Sequence, residues 1–109
     1  MAVVTRRNQA HGYRSLRAIA DDNRLKLIRL LQQGEHCACE IAGKLELGQS
    51  LLSFHLKTLK EAGIVRDRRQ GRWVYYSLNP ATFDEMAEFI RGLKPVGPGS
   101  ANINPRCCD

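Results

Sequence analysis

Between residues 49 and 78 the apolar period changes once, and that change limits the possible folds more than any other feature of the chain. In "QSLLSFHLKTLKEA", Leu52, Leu56 and Leu59 recur at i, i+4 and i+7, the stripe of an amphipathic helix. Gly63 follows as a natural left-handed terminator. The next run, "IVRDRRQGRWVYYSL", alternates instead and breaks at Gln70-Gly71, which predicts a β-hairpin with a basic tip.

The flanks add four more helical segments. Tyr13, Leu16, Ile19 and Ala20 predict a short helix over residues 13–20. Asp21 or Asp22 can cap "NRLKLIRLLQQ", and Gly34 ends it. In "GEHCACEIAGKL", Glu40 and the stripe Ile41, Ala42, Leu45 have the form of a capping box, with Cys37 at the cap where Ser or Thr is usual. Gly48 is an acceptable cap for the helix that begins at Gln49. Asn79-Pro80 opens a last helix with Phe83, Met86, Ala87, Ile90 and Leu93 on one face. The predicted order is α-α-α-α-β-β-α: a mainly α chain with a small β-hairpin, a winged helix-turn-helix. Residues 1–12 read as an N-terminal arm and 13–93 as the folded domain. Residues 94–109, rich in Pro and Gly, read as a flexible tail.

A chain of 109 residues has room for one core. Its net charge of +6 favours a polyanionic partner, although charge alone would also suit an anionic membrane surface. No apolar run approaches the roughly 18 residues of a membrane span, and the first residues lack the apolar core of a signal peptide. A cytoplasmic chain with no membrane partner is expected. There, four cysteines point to metal binding, redox sensing or neither, rather than to structural disulfides.

Between Gln49 and Arg72, six basic residues (Lys57, Lys60, Arg66, Arg68, Arg69, Arg72) stand against the acids Glu61 and Asp67. They fall on the fourth helix and the hairpin, the two elements of a winged helix that touch double-stranded DNA. The hairpin arginines suit phosphate contacts, while Gln49, Ser50, Ser53 and Lys57 suit base edges. Phe54 and His55 complete the expected DNA-contact set. Phe54 either meets a thymine methyl or lies on a neighbouring element, and His55 reads as partly buried. The bland alternative is that the arginines only protect a sheet edge from pairing.

The thiols pose a geometric problem. Residues i and i+2 in a regular helix project about 200° apart and cannot hold one ion together. At a helix start the cap residue has extended dihedrals, so Cys37 at the cap and Cys39 at the second helical position can converge. The exposed N–H groups there are also expected to lower thiol pKa. Burial as two small apolar residues is the competing account. Cys107 and Cys108 sit in the tail, where there is no core to fill. Fourteen residues from Leu93 to Cys107 can span about 46–50 Å, enough to reach Cys37 of either subunit in a dimer.

The segment "CACEIAGKLELGQSLLSFHLKTLKEAGIVRDRRQGRWVYYSL" resembles the ArsR/SmtB family of metal- and metalloid-responsive winged-helix repressors. The matching pieces are C-x-C-E-I, Q-S-x-x-S-x-H-L-x-x-L, E-A-G-I-V and R-R-Q-G-R-W-V-Y-Y-S-L, and the resemblance runs from about Leu16 to Leu93. It implies a homodimer built on the first and last helices, an inverted-repeat operator, and repression relieved by an ion. Gly48 departs from the Ser or Thr of many members. Arsenic-responsive members often carry a third cysteine one turn beyond C-x-C, where this chain has Ala42. The last helix has Asp84, Glu85 and Glu88 but no His, so the family's zinc site on that helix is lacking. The departure at Ala42 leaves a vacancy the tail can fill, and the expected site is a three-thiolate one for trivalent arsenic or antimony, made of Cys37, Cys39 and one or both of Cys107 and Cys108.

Three alternatives stay open: a cadmium or lead site in the same family, tail-assisted selection of trivalent organoarsenicals, and a thiol redox repressor. No organic cofactor is expected. An enzyme is disfavoured, since a pair of tail thiols comes with no pocket, base or oxyanion donors.

Overall fold

A computed structural model of the chain describes residues 6–97, with side chains from His11 onward. Its elements are α1 (Arg6–Ile19), α2 (Asp22–Leu31), β1 (His36–Cys37), α3 (Ala38–Leu45), α4 (Gln49–Glu61), β2 (Val65–Gln70), β3 (Trp73–Leu78) and α5 (Pro80–Arg91). The order is that of a winged helix-turn-helix, with one strand the sequence did not announce.

Local chemistry accounts for most boundaries. Asp21 caps α2, its carboxylate accepting the Arg24 N–H at 3.0 Å. Asn79 caps α5 in the same way, with Pro80 at the first helical position. α4 closes in a Schellman motif: Gly63 at φ +79° donates to the Lys60 carbonyl, and Ile64 donates to Leu59. In the hairpin Gln70 pairs with Trp73, so the two-residue loop is Gly71-Arg72, one position later than expected. Gly71 has φ +61° at the first loop position, where such a loop calls for glycine.

The core lies where α2, α3, α4 and β2 meet. Leu27, Ile41, Leu59 and Ile64 are fully buried there, with Leu31, Leu52, Leu56 and Val65 around them. α1 packs on α5, and their outer surfaces leave Tyr13, Ile90 and Leu93 exposed.

Two expectations need correction. α1 begins at Arg6, inside the segment read as an arm, and runs through Gly12. That glycine is a notch against α5: a Cβ placed on it would lie 2.6 Å from the Phe89 Cβ. A helix breaker by propensity is here a packing requirement. The second correction is β1, which joins the hairpin in a sheet of order β1-β3-β2. Its two residues are too few to show a period, and the capping pattern of Cys37 masked them.

Candidate nucleic-acid interface and thiol site

Gly48, with extended dihedrals, starts α4 so that Gln49, Ser50, Ser53, Phe54 and Lys57 face solvent while Leu52, Leu56 and Leu59 face the core. His55 is a correction. It is 4% exposed and turned toward α2, where its Nδ1 lies 3.2 Å from Arg24 Nη1 and 4.0 Å from Asp21 Oδ2. A side chain so placed braces the helix from inside and cannot reach a base. Phe54 stays 58% exposed, its ring tilted against His55 at 5.4 Å. Leu51, 43% exposed on the same helix, was not anticipated.

The six cations sort into two groups. Lys60 is paired with Asp67 at 2.8 Å, and Arg66 donates to the Asn79 Oδ1 at 2.7 Å. Arg68 is the most engaged: it grips Glu35 through Nε and Nη2, donates from Nη1 to Gln70, and lies over the Tyr75 ring. Lys57, Arg69 and Arg72 have no carboxylate within 4.0 Å among the described residues. Arg72 lies over the Trp73 ring at the hairpin tip, 5.5 Å from its centroid. The free cations, not the paired ones, are available to phosphates. Glu35 was missed in the sequence. Its only signal there is an acid placed just ahead of the thiols, in a chain whose wing is basic.

Cys37 is the N-cap of α3, with φ −78° and ψ 157°. Its sulfur receives the Glu40 N–H, and the Glu40 carboxylate accepts the Cys37 N–H at 2.9 Å, completing the capping box. The same residue pairs with Tyr75 on β3, and His36 pairs with Tyr76. Cys37 is buried and Cys39 exposed. Both thiols border one cleft. The expected lowering of pKa is not seen at Cys37: the Cys39 side chain beside it, then burial, holds its thiol above the ordinary range against the opposing Glu40 N–H.

His36 is buried, with Nδ1 2.7 Å from the Gly34 carbonyl oxygen. Among the described residues no three His, Cys, Asp or Glu side chains gather as a metal-holding set. Two thiolates suit a soft thiophilic ion and leave its third position to another ligand. Cys107 and Cys108 lie outside the described residues.

The thiols, the exposed face of α4 and the wing border one cleft of about 700 Å³. Cys37, Cys39 and Ala42 form one side, Gln49, Ser53 and Lys57 a second, and Arg69, Arg72 and Trp73 a third. Whatever occupies the thiols thus lies beside the face that would meet DNA. No helix among the described residues is long and apolar enough to cross a membrane.

A family model described as bacterial regulatory protein, arsR family, matches residues 21–67. The arsenic resistance transcriptional regulator ArsR1 of Pseudomonas putida is 42% identical over 78 residues, 71% of this chain and 61% of that protein. The chain thus spans about three fifths of that relative's length. A cadmium resistance regulatory protein CadC homologue of Staphylococcus aureus is 33% identical over 78% of this chain and 71% of its own. Among solved structures, the homodimeric winged helix-turn-helix DNA-binding domain of a possible regulator from Mycobacterium bovis is 29% identical with a TM-score of 0.65. It covers 84% of this chain and 89% of its own.

Proposed function

The chain belongs to the arsR family of bacterial regulatory proteins and is a transcriptional regulator, not an enzyme; on that premise we propose that it is a homodimeric repressor of arsenic-resistance genes, released from its operator by trivalent arsenic or antimony. The dimer forms through α1 and α5, which bury Tyr13, Ile90 and Leu93 now left exposed. α4 enters the major groove with Gln49, Ser50, Ser53 and Lys57 toward base edges, and Phe54 at the margin of that face. Arg69 and Arg72 hold phosphates, with Arg66, Arg68 and Lys60 shaping the wing behind them.

The inducer is held by Cys37 and Cys39, with Cys107 or Cys108 closing the set. One observation carries this reading: Cys37 is at once the cap of α3, the ladder partner of Tyr75 and, with Cys39, a wall of the cleft that α4 borders. As a thiolate ligand, Cys37 gives up the Glu40 N–H, and the first turn of α3 loosens. α3 and β1 then shift against α4 and the wing. The two reading helices of the dimer lose the spacing of about 34–36 Å that successive grooves require. A coupling of about 1–3 kcal/mol per site, acting at two sites, releases the operator.

The test is fluorescence anisotropy on a duplex from the chain's own promoter, with and without arsenite. Wild type is expected to dissociate, and Cys37→Ser to stay bound at concentrations that release the wild type. Release of Cys37→Ser at the same arsenite concentration overturns the site. The similarity to the cadmium regulator supports the thiols serving a divalent soft ion instead, and the same assay with cadmium and lead separates the two.

A further inference from the structure

A second cleft, of about 570 Å³, opens where α1, α2 and the C-terminal half of α4 meet. Arg14 and Arg17 of α1, Arg24 of α2, and Thr58 and Glu61 of α4 line it. Three guanidinium groups line it with one carboxylate, and the Asp21 carboxylate lies close enough to Arg24 to feel its charge. Elsewhere Lys60, Arg68 and Arg91 each have a carboxylate at 2.7 to 3.1 Å. None of the three cleft arginines has one within 4.0 Å among the described residues.

Arg24 is fixed in place. Its Nε donates to the Ala18 carbonyl at 2.5 Å and its Nη1 meets His55 Nδ1, which leaves Nη2 without a hydrogen-bond partner among the described residues. Arg17 lies over the Tyr13 ring, 5.8 Å from its centroid, and Arg14 stands one turn earlier on the same helix face. Thr58 directs its hydroxyl proton to the Phe54 carbonyl, so the donors of this cleft are the arginines. Guanidinium groups gathered around one concavity repel each other until an anion neutralises them. Their planar forks match tetrahedral oxyanions better than they match a simple halide.

We propose that the cleft of Arg14, Arg17 and Arg24 binds a phosphate-class oxyanion, either free or as a phosphodiester of DNA. The site is independent of the inducer's identity. Because Arg24 also holds His55, occupancy bears directly on α4.

The experiment titrates inorganic phosphate into the full-length protein without DNA, at constant ionic strength balanced with chloride. NMR of the arginine Nε–H groups and calorimetry provide the readouts. Saturable binding that moves the Arg24 Nε–H resonance is expected, weakened at least about tenfold in Arg14→Gln/Arg17→Gln. The wild-type titration decides even if that variant folds poorly. A second arm adds duplex from the chain's own promoter. If the phosphate belongs to DNA, the same resonances move on duplex addition and the double variant has a shallower salt dependence of binding. If it is free, phosphate alone moves them. Resonances that respond to neither phosphate nor duplex beyond the chloride control overturn the proposal.

Discussion

Glu35 and Arg68 meet through a two-point fork, Nε to Oε2 at 3.1 Å and Nη2 to Oε1 at 2.7 Å, and Glu35 lies just ahead of the strand that carries Cys37. The wing strand β2 is thereby tied to the thiol corner from outside, while β3 holds it through the Cys37–Tyr75 ladder. An arginine so occupied must give up Glu35 before it can hold a phosphate. Arg68→Gln is therefore expected to leave the slope of log affinity against log salt unchanged. Arg69→Gln and Arg72→Gln should each reduce it by about 0.9 for every phosphate the arginine had neutralised. A shallower slope for Arg68→Gln would return that residue to the DNA-contact set. The same variant should weaken the coupling between arsenite and DNA release.

Raised by the Cys39 side chain beside it, Cys37 is a protonated thiol at neutral pH. Arsenous acid, As(OH)₃, takes up one proton from each thiol and releases water, so its binding exchanges no net protons. Cadmium displaces a proton from every thiol it binds. Calorimetry between about pH 6 and 8 is expected to show a flat arsenite affinity and a cadmium affinity that climbs with pH. A steep arsenite profile would contradict that ligation chemistry.

Four carboxylates are held below the ordinary range: Asp21 by the Arg24 N–H, Glu35 by Arg68, Glu40 by the Cys37 N–H, and Asp67 by Lys60. Their pKa values are lower folded than unfolded. The stabilisation is thus complete above the unfolded carboxylate value of about 4 and disappears as pH falls through the folded values. Tm should be level near neutrality and drop below about pH 4. Glu40→Gln, which keeps an acceptor for the Cys37 N–H but cannot titrate, should fall less steeply. Superimposable curves would remove Glu40 from this account.

Gly12→Ala adds a methyl where Phe89 already stands, 2.6 Å away. Overpacking of this kind typically destabilises by about 1–3 kcal/mol. Urea unfolding should show the loss, and sedimentation should show weaker dimerisation if α1 and α5 form the interface. Wild-type stability together with wild-type association would contradict the notch.

Ala42 borders the same cleft as Cys37 and Cys39. Ala42→Cys should therefore supply a third thiolate without the tail. In a Cys107→Ser/Cys108→Ser background it is expected to restore arsenite-dependent release and the thiolate-to-arsenic absorbance. If the tail variant alone already responds as wild type, the tail is dispensable, and a small exogenous ligand completes the ion.

The helices, the hairpin and the cap of α3 were legible in the sequence because each depends on neighbours a few residues away. Leu52, Leu56 and Leu59 set a period, and Gly63 and Gly71 occupy conformations that favour glycine. Legibility failed where long-range contact overrides local preference. β1 exists because Tyr75 and Tyr76 offer it a ladder, and α1 runs through Gly12 because Phe89 needs the space. The basic surface of α4 and the wing was legible as a whole, but not the state of each cation in it. Arg68 is bound by an acid 33 positions away in the chain, while Arg69 beside it has no carboxylate within 4.0 Å among the described residues. His55 shows the same limit, since one step around the helix separates a solvent-facing residue from a buried one.

The two ends of α4 are not held alike. At its C-terminus the Ala62 carbonyl accepts from Ser15 of α1, and the Gly63 carbonyl accepts from Thr82 and Asn79 at the start of α5. Among the described residues no such rivets hold its N-terminus, where Gly48 offers no side chain. α4 is thus a lever with its fulcrum at the α1–α5 pair and its free tip at the thiol corner. Over 13 residues, about 20 Å, a tilt of only about 5° carries the tip about 1.7 Å, over half the length of a hydrogen bond.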